Sequence, residues 1–431
     1  MPERPHAATA AQPSAQSHAA AESAQRAPEP RAGGARRRGW LAPRRGRARI
    51  ALVTPWPPEW SGVADYNLQL VAALAERVEV AVITARPAGE YSRVSNRGVR
   101  LVGANTRGLP STRRYDRTVY CMGNSRFHAH VFELLRREPD AVVFHDVQLM
   151  GFFGSIAGLE RPDDPAGWLD EQVTEMYGGQ QGGLEGPRDQ LYMTREIQRD
   201  AAQCFVHSRY ALAMLERDRA GDVAYAPAGT LMYALPAVAQ DPPVRARVSA
   251  APLVVTLGAV AAVKEIAAAI SGFALLARDH PTARLVIAGA PAAETDETHW
   301  HAYAREHAPQ ARIEIAGRVS RARYERLLGD ADVAMQLRRR SNGEASGATA
   351  DCLAAGVPTL VSDLGWFAEL PDEAVSRVRP EAEPAQIAAR LEELLSDEEL
   401  RRTRSDAALA YARSHTFAAA AGEYLAALGL D

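Results

Sequence analysis

The residues best suited to bind a phosphorylated ligand lie in the C-terminal half of the chain. Arg338, Gly343 and Glu344 stand in a polar segment, and a helix is predicted to begin directly after it, at Ser346-Gly347. The start of a helix presents unpaired backbone N–H groups and the positive end of the helix dipole, which together favour anions. Ser346 would cap this helix, and Gly347 would let a phosphate approach closely. We therefore predict a diphosphate site at this helix start.

Two further charged residues extend the predicted site. Asp351 follows Glu344 by seven positions, almost two helical turns, so both carboxylates are expected on one helix face. The lower carboxylate, Asp351, would accept the hydroxyls of a ribose. Lys264, the single lysine of an arginine-rich chain, follows a predicted strand and would bring a compact ammonium to the phosphates. A solvated lysine in the first turn of a helix is the alternative.

The N-terminal half offers further residues at predicted strand ends. Gly62 lies in the loop after the first strand, where a glycine lets backbone N–H groups approach an anion. Asn124 and His128 follow a later strand, and His145 ends the next one. Histidines in such places can hydrogen-bond sugar hydroxyls or stabilise developing charge, although a lone histidine is more often structural. His207 is a further, weaker candidate.

These residues need elements to position them, and short apolar runs alternate with amphipathic segments along most of the chain. The predicted strands are 49–54, 79–84, 118–122, 141–145, 204–207, 253–257, 284–288, 313–316, 333–337 and 358–361. The predicted helices are 63–77, 126–137, 188–202, 264–278, 322–328, 346–355, 385–395 and 417–428. This alternation predicts an α/β protein with parallel sheets covered on both faces.

The same pattern divides the chain. Residues 1–48, rich in Ala, Pro, Ser and Arg, are predicted to be a disordered tail. Two doubly wound, Rossmann-like domains are expected at 49–240 and 251–415, with a last helix at 416–431 that would cross back to the first domain. A cleft between the carboxyl ends of the two sets of strands is where such sheets bind ligands. Gly-rich residues 163–188 are expected to be a specificity loop.

Composition excludes several classes of protein. A net charge of -3 argues against a nucleic-acid binder. The three scattered cysteines give neither a disulfide scaffold nor a zinc site, and they favour a reducing, cytoplasmic compartment. No apolar run approaches the ~20 residues that a membrane span needs. The arginines at 36–47 suggest weak peripheral attachment to an anionic inner membrane face, with a solvated tail or an upstream mis-assigned start codon as the alternatives.

The segment around Glu344 resembles the donor-binding region of the retaining GT-B glycosyltransferases of family four. That family has two glutamates separated by seven residues and followed by Ala-x-Gly-x-Pro; this chain has Glu344, Asp351 and then Ala354-Ala355-Gly356-Val357-Pro358. The resemblance implies that Glu344 faces the donor sugar, Asp351 holds the ribose and Lys264 pairs with the phosphates. It covers residues 49–430 and implies the GT-B fold.

The chain departs from the family pattern at two places. Ala259 stands where the family has an arginine, and Arg338 is our candidate for the missing cation. Six residues rather than seven separate Glu344 from Asp351, and the second acid is an aspartate. Arg339 and Arg340 are expected to be solvated.

These observations predict an enzyme that moves a hexose-type sugar from a nucleotide diphosphate sugar to an acceptor hydroxyl. Retention of the anomeric configuration is the first expectation. The acceptor would be a carbohydrate, a lipid-linked molecule or a small molecule, in the synthesis of a cell-surface polysaccharide or glycoconjugate. No metal or other cofactor is expected, since no D-x-D motif ends a strand. An inverting reaction with His145 as base, a sugar-nucleotide epimerase and a non-catalytic nucleotide-sugar-binding protein stay open as alternatives.

Overall fold

The computed structural model describes residues 46–91, 98–177, 191–219, 223–240, 242, 248–291 and 297–431. The tail predicted to be disordered lies almost wholly outside the described residues. So do residues 178–188 of the predicted specificity loop and residues 241 and 243–247 of the segment between the two predicted domains.

The first domain is built on a seven-stranded sheet in the order β3-β2-β1-β4-β5-β6-β7, in which every neighbouring pair is parallel. Its strands are β1 (Arg49–Val53), β2 (Glu79–Thr84), β3 (Val99–Gly103), β4 (Arg117–Met122), β5 (Ala141–Phe144), β6 (Gln203–Val206) and β7 (Ala228–Thr230). The central strands are continuous apolar runs because helices cover both faces of the sheet. Those helices are α1 (Gly62–Leu74), α2 (Ala129–Arg137), α3 (Met150–Glu160), α4 (Pro165–Tyr177), α5 (Arg195–Asp200) and α6 (Arg209–Arg217).

The second domain has a six-stranded parallel sheet in the order β10-β9-β8-β11-β12-β13. Its strands are β8 (Leu253–Leu257), β9 (Arg284–Ala288), β10 (Arg312–Gly317), β11 (Val333–Gln336), β12 (Thr359–Ser362) and β13 (Val375–Val378). Its helices are α7 (Ile266–Leu276), α8 (Glu297–His307), α9 (Arg321–Asp330), α10 (Gly347–Ala354), α11 (Pro384–Ser396) and α12 (Glu398–Ser414). The predicted fold class, two parallel-sheet Rossmann-like domains, is confirmed.

The last helix, α13 (Phe417–Leu428), packs on the first domain rather than on the second. Its buried residues Tyr424 and Leu425 join the cluster that Leu70 and Leu74 of α1 form with β1 and β2. A guanidinium nitrogen of Arg117, at the start of β4, donates to the Leu428 carbonyl at 2.9 Å. Helix α13 therefore completes the hydrophobic core of the first domain.

Several predicted elements differ from the structure. The helix predicted at 188–202 is described only as α5, Arg195–Asp200, and residues 191–194 before it are not helical. Residues 165–177, expected to belong to a loop, form α4, which buries only Val173 and Met176 and so shows little apolar periodicity. The helix predicted to begin at Lys264 begins at Ile266, after a 3₁₀ turn over Ala262–Lys264. Among the described helices, none is long and apolar enough to cross a membrane.

Candidate active site

The two domains meet where the carboxyl ends of their sheets face each other. The carbonyl of Asn342, in the loop after β11, accepts hydrogen bonds from the backbone N–H groups of Val147 at 2.7 Å and Gln148 at 3.1 Å, just after β5. Gly343 follows with φ +87°, and a Cβ placed on it would lie 2.9 Å from Cγ2 of Val147. Only glycine therefore suits this left-handed, closely packed position. The loop after β11 is thus fixed against the first domain.

Helix α10 begins directly after this loop, and its N-terminus opens at the cleft. Ser346 is the N-cap, and its side chain accepts from the backbone N–H of Thr349, so the predicted cap is confirmed. Gly347, the first helical residue, is exposed. The first N–H groups of a helix have no partner within the helix. This end of α10 therefore offers backbone donors and the positive end of a dipole to an anion.

Lys264 reaches this helix start. Gly258 follows β8 directly with φ +92°, and a Cβ built on it would lie 3.2 Å from Cβ of Ala348 and 3.5 Å from Nζ of Lys264. The ammonium of Lys264 and the first turn of α10 therefore adjoin the same glycine. Burial and the nearby cation of Arg338 lower the pKa of Lys264 to about 7. Among the described residues, no carboxylate forms an ion pair with this ammonium.

Arg338 lies beside Lys264 but is already paired. Its buried guanidinium forms an ion pair with the carboxylate of Glu344 and lies 5.1 Å from the ring centroid of Phe367. Burial lowers the pKa of Arg338 to about 10, and the negative charge of Asp146 opposes this decrease. The guanidinium that was predicted to bind phosphate is therefore already paired with the carboxylate of Glu344.

Glu344 faces Arg338 and its own loop. Besides the ion pair, one carboxylate oxygen accepts from the Asn342 N–H at 2.7 Å and the Ser341 hydroxyl at 3.1 Å. Glu344 precedes the N-cap, so it is not part of α10. The expectation that Glu344 and Asp351 share one helix face is therefore wrong, because helical spacing does not apply outside the helix.

Asp351 lies on α10, partly exposed, on the side that faces α9. The hydroxyl of Tyr324 donates to its carboxylate at 2.7 Å. Burial raises the pKa of Asp351, while Tyr324 and the cation of Arg321 oppose the rise and Asp65 of the first domain adds to it. Asp351 therefore has a charged neighbour in each domain.

His145 is the buried residue that follows β5, and it lies in a cluster of aromatic rings. Its ring centroid lies 4.9 Å from that of His207 and 5.4 Å from that of Tyr66. Burial holds the pKa of His145 well below its usual value, and electrostatic interaction with His207 and His128 lowers it further, so the imidazole is neutral. Its Nε2 atom is buried and has no hydrogen-bond partner among the described residues. A neutral imidazole with an unused nitrogen can bond a sugar hydroxyl.

Asn124 and His128 have local structural partners. The Asn124 side chain accepts from the N–H of Phe152 at 2.7 Å, and its backbone N–H donates to Asp146 at 2.9 Å. Nδ1 of His128 lies 3.1 Å from the carbonyl of Ser125, and burial lowers the pKa of His128 to about 3. Its buried Nε2 has no partner in the described part of the chain. Asn124 holds the start of α3, while His128 keeps one nitrogen unused.

The loop that carries Gly62 crosses to the second domain. Gly62 is the exposed first residue of α1, and Trp60 before it lies beneath the guanidinium of Arg318, which follows β10. Asp65, in the first turn of α1, interacts with Arg321 in the first turn of α9. This loop therefore contacts the second domain close to Asp351.

Sequence reasoning missed the aromatic residues between the domains. Tyr66 and Tyr233 stack with centroids 4.7 Å apart and an interplanar angle of 21°. Tyr233 lies within electrostatic reach of both Asp351 and Arg338. Tyr66 lies in α1, four residues after Gly62, whereas Tyr233 lies in the connection after β7, where no periodic pattern marks it.

A separate pocket of about 590 Å³ lies to the side of these residues. It is lined by His207, Arg209, Tyr233, Trp366, Glu369 and Tyr411, together with residues of α13. Lys264, Glu344 and Asp351 do not line it, so this pocket lies outside the predicted diphosphate site. No group of three or more acidic, histidine or cysteine side chains suited to a metal occurs within the described residues.

Comparison with protein families assigns both domains. Residues 239–410 match the family model described as Glycosyl transferases group 1, and residues 61–229 match the one described as Glycosyl transferase 4-like domain. The two matches follow each other and together span most of the chain. The comparison with curated protein sequences gives no match.

Similar solved structures cover nearly all of the two domains. Sucrose-phosphate synthase from Thermosynechococcus elongatus is 16% identical, with a TM-score of 0.63 over 89% of this chain and 99% of that one. Anabaena HepE, solved with UDP and glucose, is 12% identical, with a TM-score of 0.59 over 89% and 100%. WaaG, a glycosyltransferase involved in lipopolysaccharide biosynthesis, is 13% identical, with a TM-score of 0.55 over 88% and 99%. At these identities the likeness shows the fold alone.

Proposed function

We propose that this protein, a GT-B glycosyltransferase, transfers a hexose-type sugar from a nucleotide diphosphate sugar to an acceptor hydroxyl, with retention and without a metal. The proposal depends on one observation: the ammonium of Lys264 and the first turn of α10 adjoin Gly258 at the end of β8. The pKa of Lys264, lowered to about 7 by burial and Arg338, supports it as well. This ammonium has no carboxylate partner in the part of the chain that the structure describes, so a bound diphosphate would supply its anionic partner.

The proposed chemistry follows from where charge develops. As the bond between the anomeric carbon and the diphosphate oxygen breaks, negative charge grows on the diphosphate and positive charge on the sugar. Lys264 and the N–H groups at the start of α10 would stabilise the departing diphosphate, in place of a divalent cation. Arg338 would contribute once the diphosphate competes with Glu344 for its guanidinium. Asp351 would accept hydrogen bonds from the ribose.

The acceptor hydroxyl would attack the anomeric carbon from the face that the diphosphate leaves. The new glycosidic bond forms as the old bond breaks, and the hydroxyl proton passes to an oxygen of the departing diphosphate. The unused Nε2 of the neutral His145 would accept a hydrogen bond from a hydroxyl of the transferred sugar. Glu344 would orient the sugar from the second domain. The contact between Asn342 and Val147 supports a closed cleft that keeps water away from the reaction.

Hexose donors are the first to test, because HepE, a protein of similar fold, is solved with UDP and glucose. A carbohydrate, lipid-linked or small-molecule acceptor, a role in cell-surface glycoconjugate synthesis and a cytoplasmic location at the inner membrane face complete the proposal. An inverting reaction with His145 as base is the mechanistic alternative. A non-catalytic nucleotide-sugar-binding protein is the functional alternative, and the engagement of Glu344 with Arg338 favours it.

The test combines binding and turnover. We expect UDP-, GDP- or ADP-hexoses to raise the unfolding temperature of the wild type, and expect Lys264→Ala to lose most of that rise. Arg339→Ala removes an exposed arginine from the neighbouring loop after β11, where its backbone N–H donates to the Val263 carbonyl at 2.9 Å, so it is the control and should behave as the wild type. Transfer to a panel of acceptors, with the anomeric configuration of the product read by NMR, separates retention from inversion. Binding without transfer or hydrolysis would favour the non-catalytic alternative, and no binding of any nucleotide sugar would overturn the proposal.

A further inference from the structure

The residue that follows Lys264 has a strained backbone. Glu265 has φ +48° and ψ +40°, the left-handed conformation that residues with a Cβ rarely adopt. It is the N-cap of α7, and its carbonyl accepts from the N–H of Ala269 at 2.9 Å. Glycine would adopt this conformation without strain. A glutamate here therefore costs stability unless its side chain makes contacts that hold the turn in place.

The side chain of Glu265 makes such contacts with the end of β12 and with the segment after β13. One carboxylate oxygen accepts from the backbone N–H of Glu381 at 3.0 Å, and the other accepts from the hydroxyl of Ser362 at 3.4 Å. Burial raises the pKa of Glu265, and both hydrogen bonds lower it, while the charges of Glu381 and Arg339 act in opposite directions. Two hydrogen bonds therefore hold this carboxylate in place.

Ser362 extends the connection toward Arg338, the second cation of the proposed donor site. The buried Ser362 hydroxyl accepts from the backbone N–H of Arg338 at 2.8 Å while it donates to Glu265. A hydroxyl that accepts one hydrogen bond and donates another positions both of its neighbours. The carboxylate of Glu265 is therefore connected, through one side chain, to the segment that follows β11.

A second link to that segment lies on the other side of Lys264. The backbone N–H of Arg339 donates at 2.9 Å to the carbonyl of Val263, the residue before the lysine. Lys264 thus stands between a backbone link at Val263 and a side-chain link at Glu265. Burial and the like charge of Arg338 both oppose a charged lysine here, and a lysine stem is flexible. The ammonium therefore stays in this place only if the turn directs the stem toward it.

We propose that Glu265 is a positioning residue, which holds Lys264 where its ammonium meets the diphosphate of the donor. The inference rests on the proposed function. Glu265 acts through the backbone, because its carboxylate holds the left-handed turn and the turn sets the direction in which the lysine stem leaves. An ammonium that is already in place loses less conformational freedom when the diphosphate binds, so the donor binds more tightly.

Three variants of Glu265 separate the position of Lys264 from the stability of the fold. Glu265→Ala loses the carboxylate but keeps the strain, whereas Glu265→Gly loses both. By calorimetry, we expect both to bind pyrophosphate and UDP, or whichever of UDP, GDP and ADP binds best, about tenfold more weakly, as weakening of one hydrogen bond to a charged group predicts. Glu265→Gly should nevertheless unfold at a higher temperature than Glu265→Ala. Glu265→Gln keeps an acceptor oxygen at the same reach and should retain most of the affinity.

Glu381→Ala is the matched control. It removes an exposed acid whose φ is also positive, +54°, but keeps the backbone N–H that donates to Glu265, so its affinities should equal those of the wild type. Proton uptake on binding gives a second readout. A Lys264 released to solvent would regain its ordinary pKa and be protonated before the nucleotide binds. Uptake between pH 7 and pH 8 should therefore fall in Glu265→Ala.

Equal affinity of the wild type and Glu265→Ala for UDP and pyrophosphate would overturn the positioning role and leave the proposed function intact. Affinities that follow the unfolding temperatures, with Glu265→Gly binding as tightly as the wild type, would also overturn it, since Glu265 would then serve only the fold. A wild type that binds neither pyrophosphate nor any of the three nucleotides would overturn both proposals.

Discussion

Arg338 and Glu344, both expected to face the donor, form an ion pair with each other. The guanidinium is buried and the carboxylate is only 17% exposed, so each charge depends on the other. Glu344 also accepts from the N–H of Asn342, whose carbonyl bonds the first domain. The ion pair is therefore connected to the contact between the domains.

Replacing Glu344 tests this arrangement. Glu344→Gln leaves the Arg338 cation without its partner, and loss of one member of a buried pair costs about 3 kcal/mol. We expect a lower unfolding temperature by calorimetry in the free protein. We also expect a nucleotide diphosphate to raise that temperature more in Glu344→Gln than in the wild type, because the phosphates would supply the missing negative charge.

The double variant Arg338→Met/Glu344→Gln is the control for this prediction. It removes both charges, so it should recover part of the lost stability and should not show the enlarged response to nucleotide. If Glu344→Gln were as stable as the wild type, the ion pair would not contribute to folding.

The lowered pKa of Lys264 predicts that nucleotide binding depends on pH. With a pKa of about 7 in the free protein, the ammonium is fully protonated only below that pH. A bound diphosphate stabilises the charged form and raises this pKa, so binding above pH 7 takes up protons and weakens as the pH rises toward 8. Calorimetry in buffers of different ionisation enthalpy measures the proton uptake directly.

Lys264→Arg is the matched variant, since a guanidinium stays charged over this range. Its nucleotide affinity should change less between pH 7 and pH 8, and proton uptake should fall toward zero. Lys264→Met should show a higher unfolding temperature than the wild type at pH 6, because the wild type there carries a charged ammonium in a partly buried place. A lysine that serves only the fold would give the opposite result.

The role proposed for Asp351 predicts discrimination between ribose and deoxyribose. A carboxylate that accepts from both ribose hydroxyls should bind UDP about tenfold more tightly than 2′-deoxy-UDP, as loss of one hydrogen bond to a charged group predicts. Asp351→Asn should reduce this ratio as well as the affinity for UDP. Competition binding with the two nucleotides measures the ratio in each protein.

Tyr324→Phe separates orientation from contact in that experiment. It removes the hydroxyl that donates to Asp351 but keeps the carboxylate. We expect a smaller loss of UDP affinity than in Asp351→Asn, with the preference for ribose retained. An unchanged ratio in Asp351→Asn would exclude this residue as the ribose ligand.

Glu369 makes a further contact between the two domains, and replacing it should weaken that contact. Its carboxylate accepts from the backbone N–H groups of Arg209 at 3.0 Å and Tyr210 at 2.7 Å, which are the first two residues of α6 in the other domain. It thus completes the capping of a helix whose N-cap side chain, the Ser208 hydroxyl, accepts from the Ala211 N–H at 3.0 Å. Glu369→Ala should cost about 1 kcal/mol, the usual effect of a lost cap.

The domains should also separate more readily in Glu369→Ala, because the lost contact joins them. Faster cleavage by protease in the connection between the sheets, near residues 231–252, would report this. Glu373→Ala is the control, since Glu373 is an exposed acid of the same segment. Equal cleavage of the two variants would show that the Glu369 contact does not hold the domains together.

The sequence allowed the architecture to be predicted because its central strands are buried on both faces. Residues 50–53 are a continuous apolar run, residues 253–257 are apolar except for Thr256, and both proved to be central parallel strands. Edge strands gave no such signal: β3 is at most half-buried throughout, and it was missed. Helix α4 was missed for a similar reason, since only Val173 and Met176 are buried along it.

The candidate site could be predicted only where residues close together in the sequence form a recognisable pattern. The helix start at Ser346 followed from a capping residue and a glycine. The ion pair of Arg338 with Glu344 could not be predicted from the sequence, because it depends on the turn that Gly343 makes at φ +87°. The contacts of Trp60 with Arg318 and of Asp65 with Arg321 join residues that are far apart in sequence, and no spacing rule relates them.

The position of α13 has a consequence for how the protein can be made. Its residues Ala421, Tyr424 and Leu425 fill the apolar surface of α1, so the first domain lacks part of its core until residues 417–428 have been synthesised. A fragment that ends before α13 would expose that surface to water and should aggregate. The first domain would then be obtained in folded form only with α13 attached, for example by fusing residues 416–431 to its end through a linker.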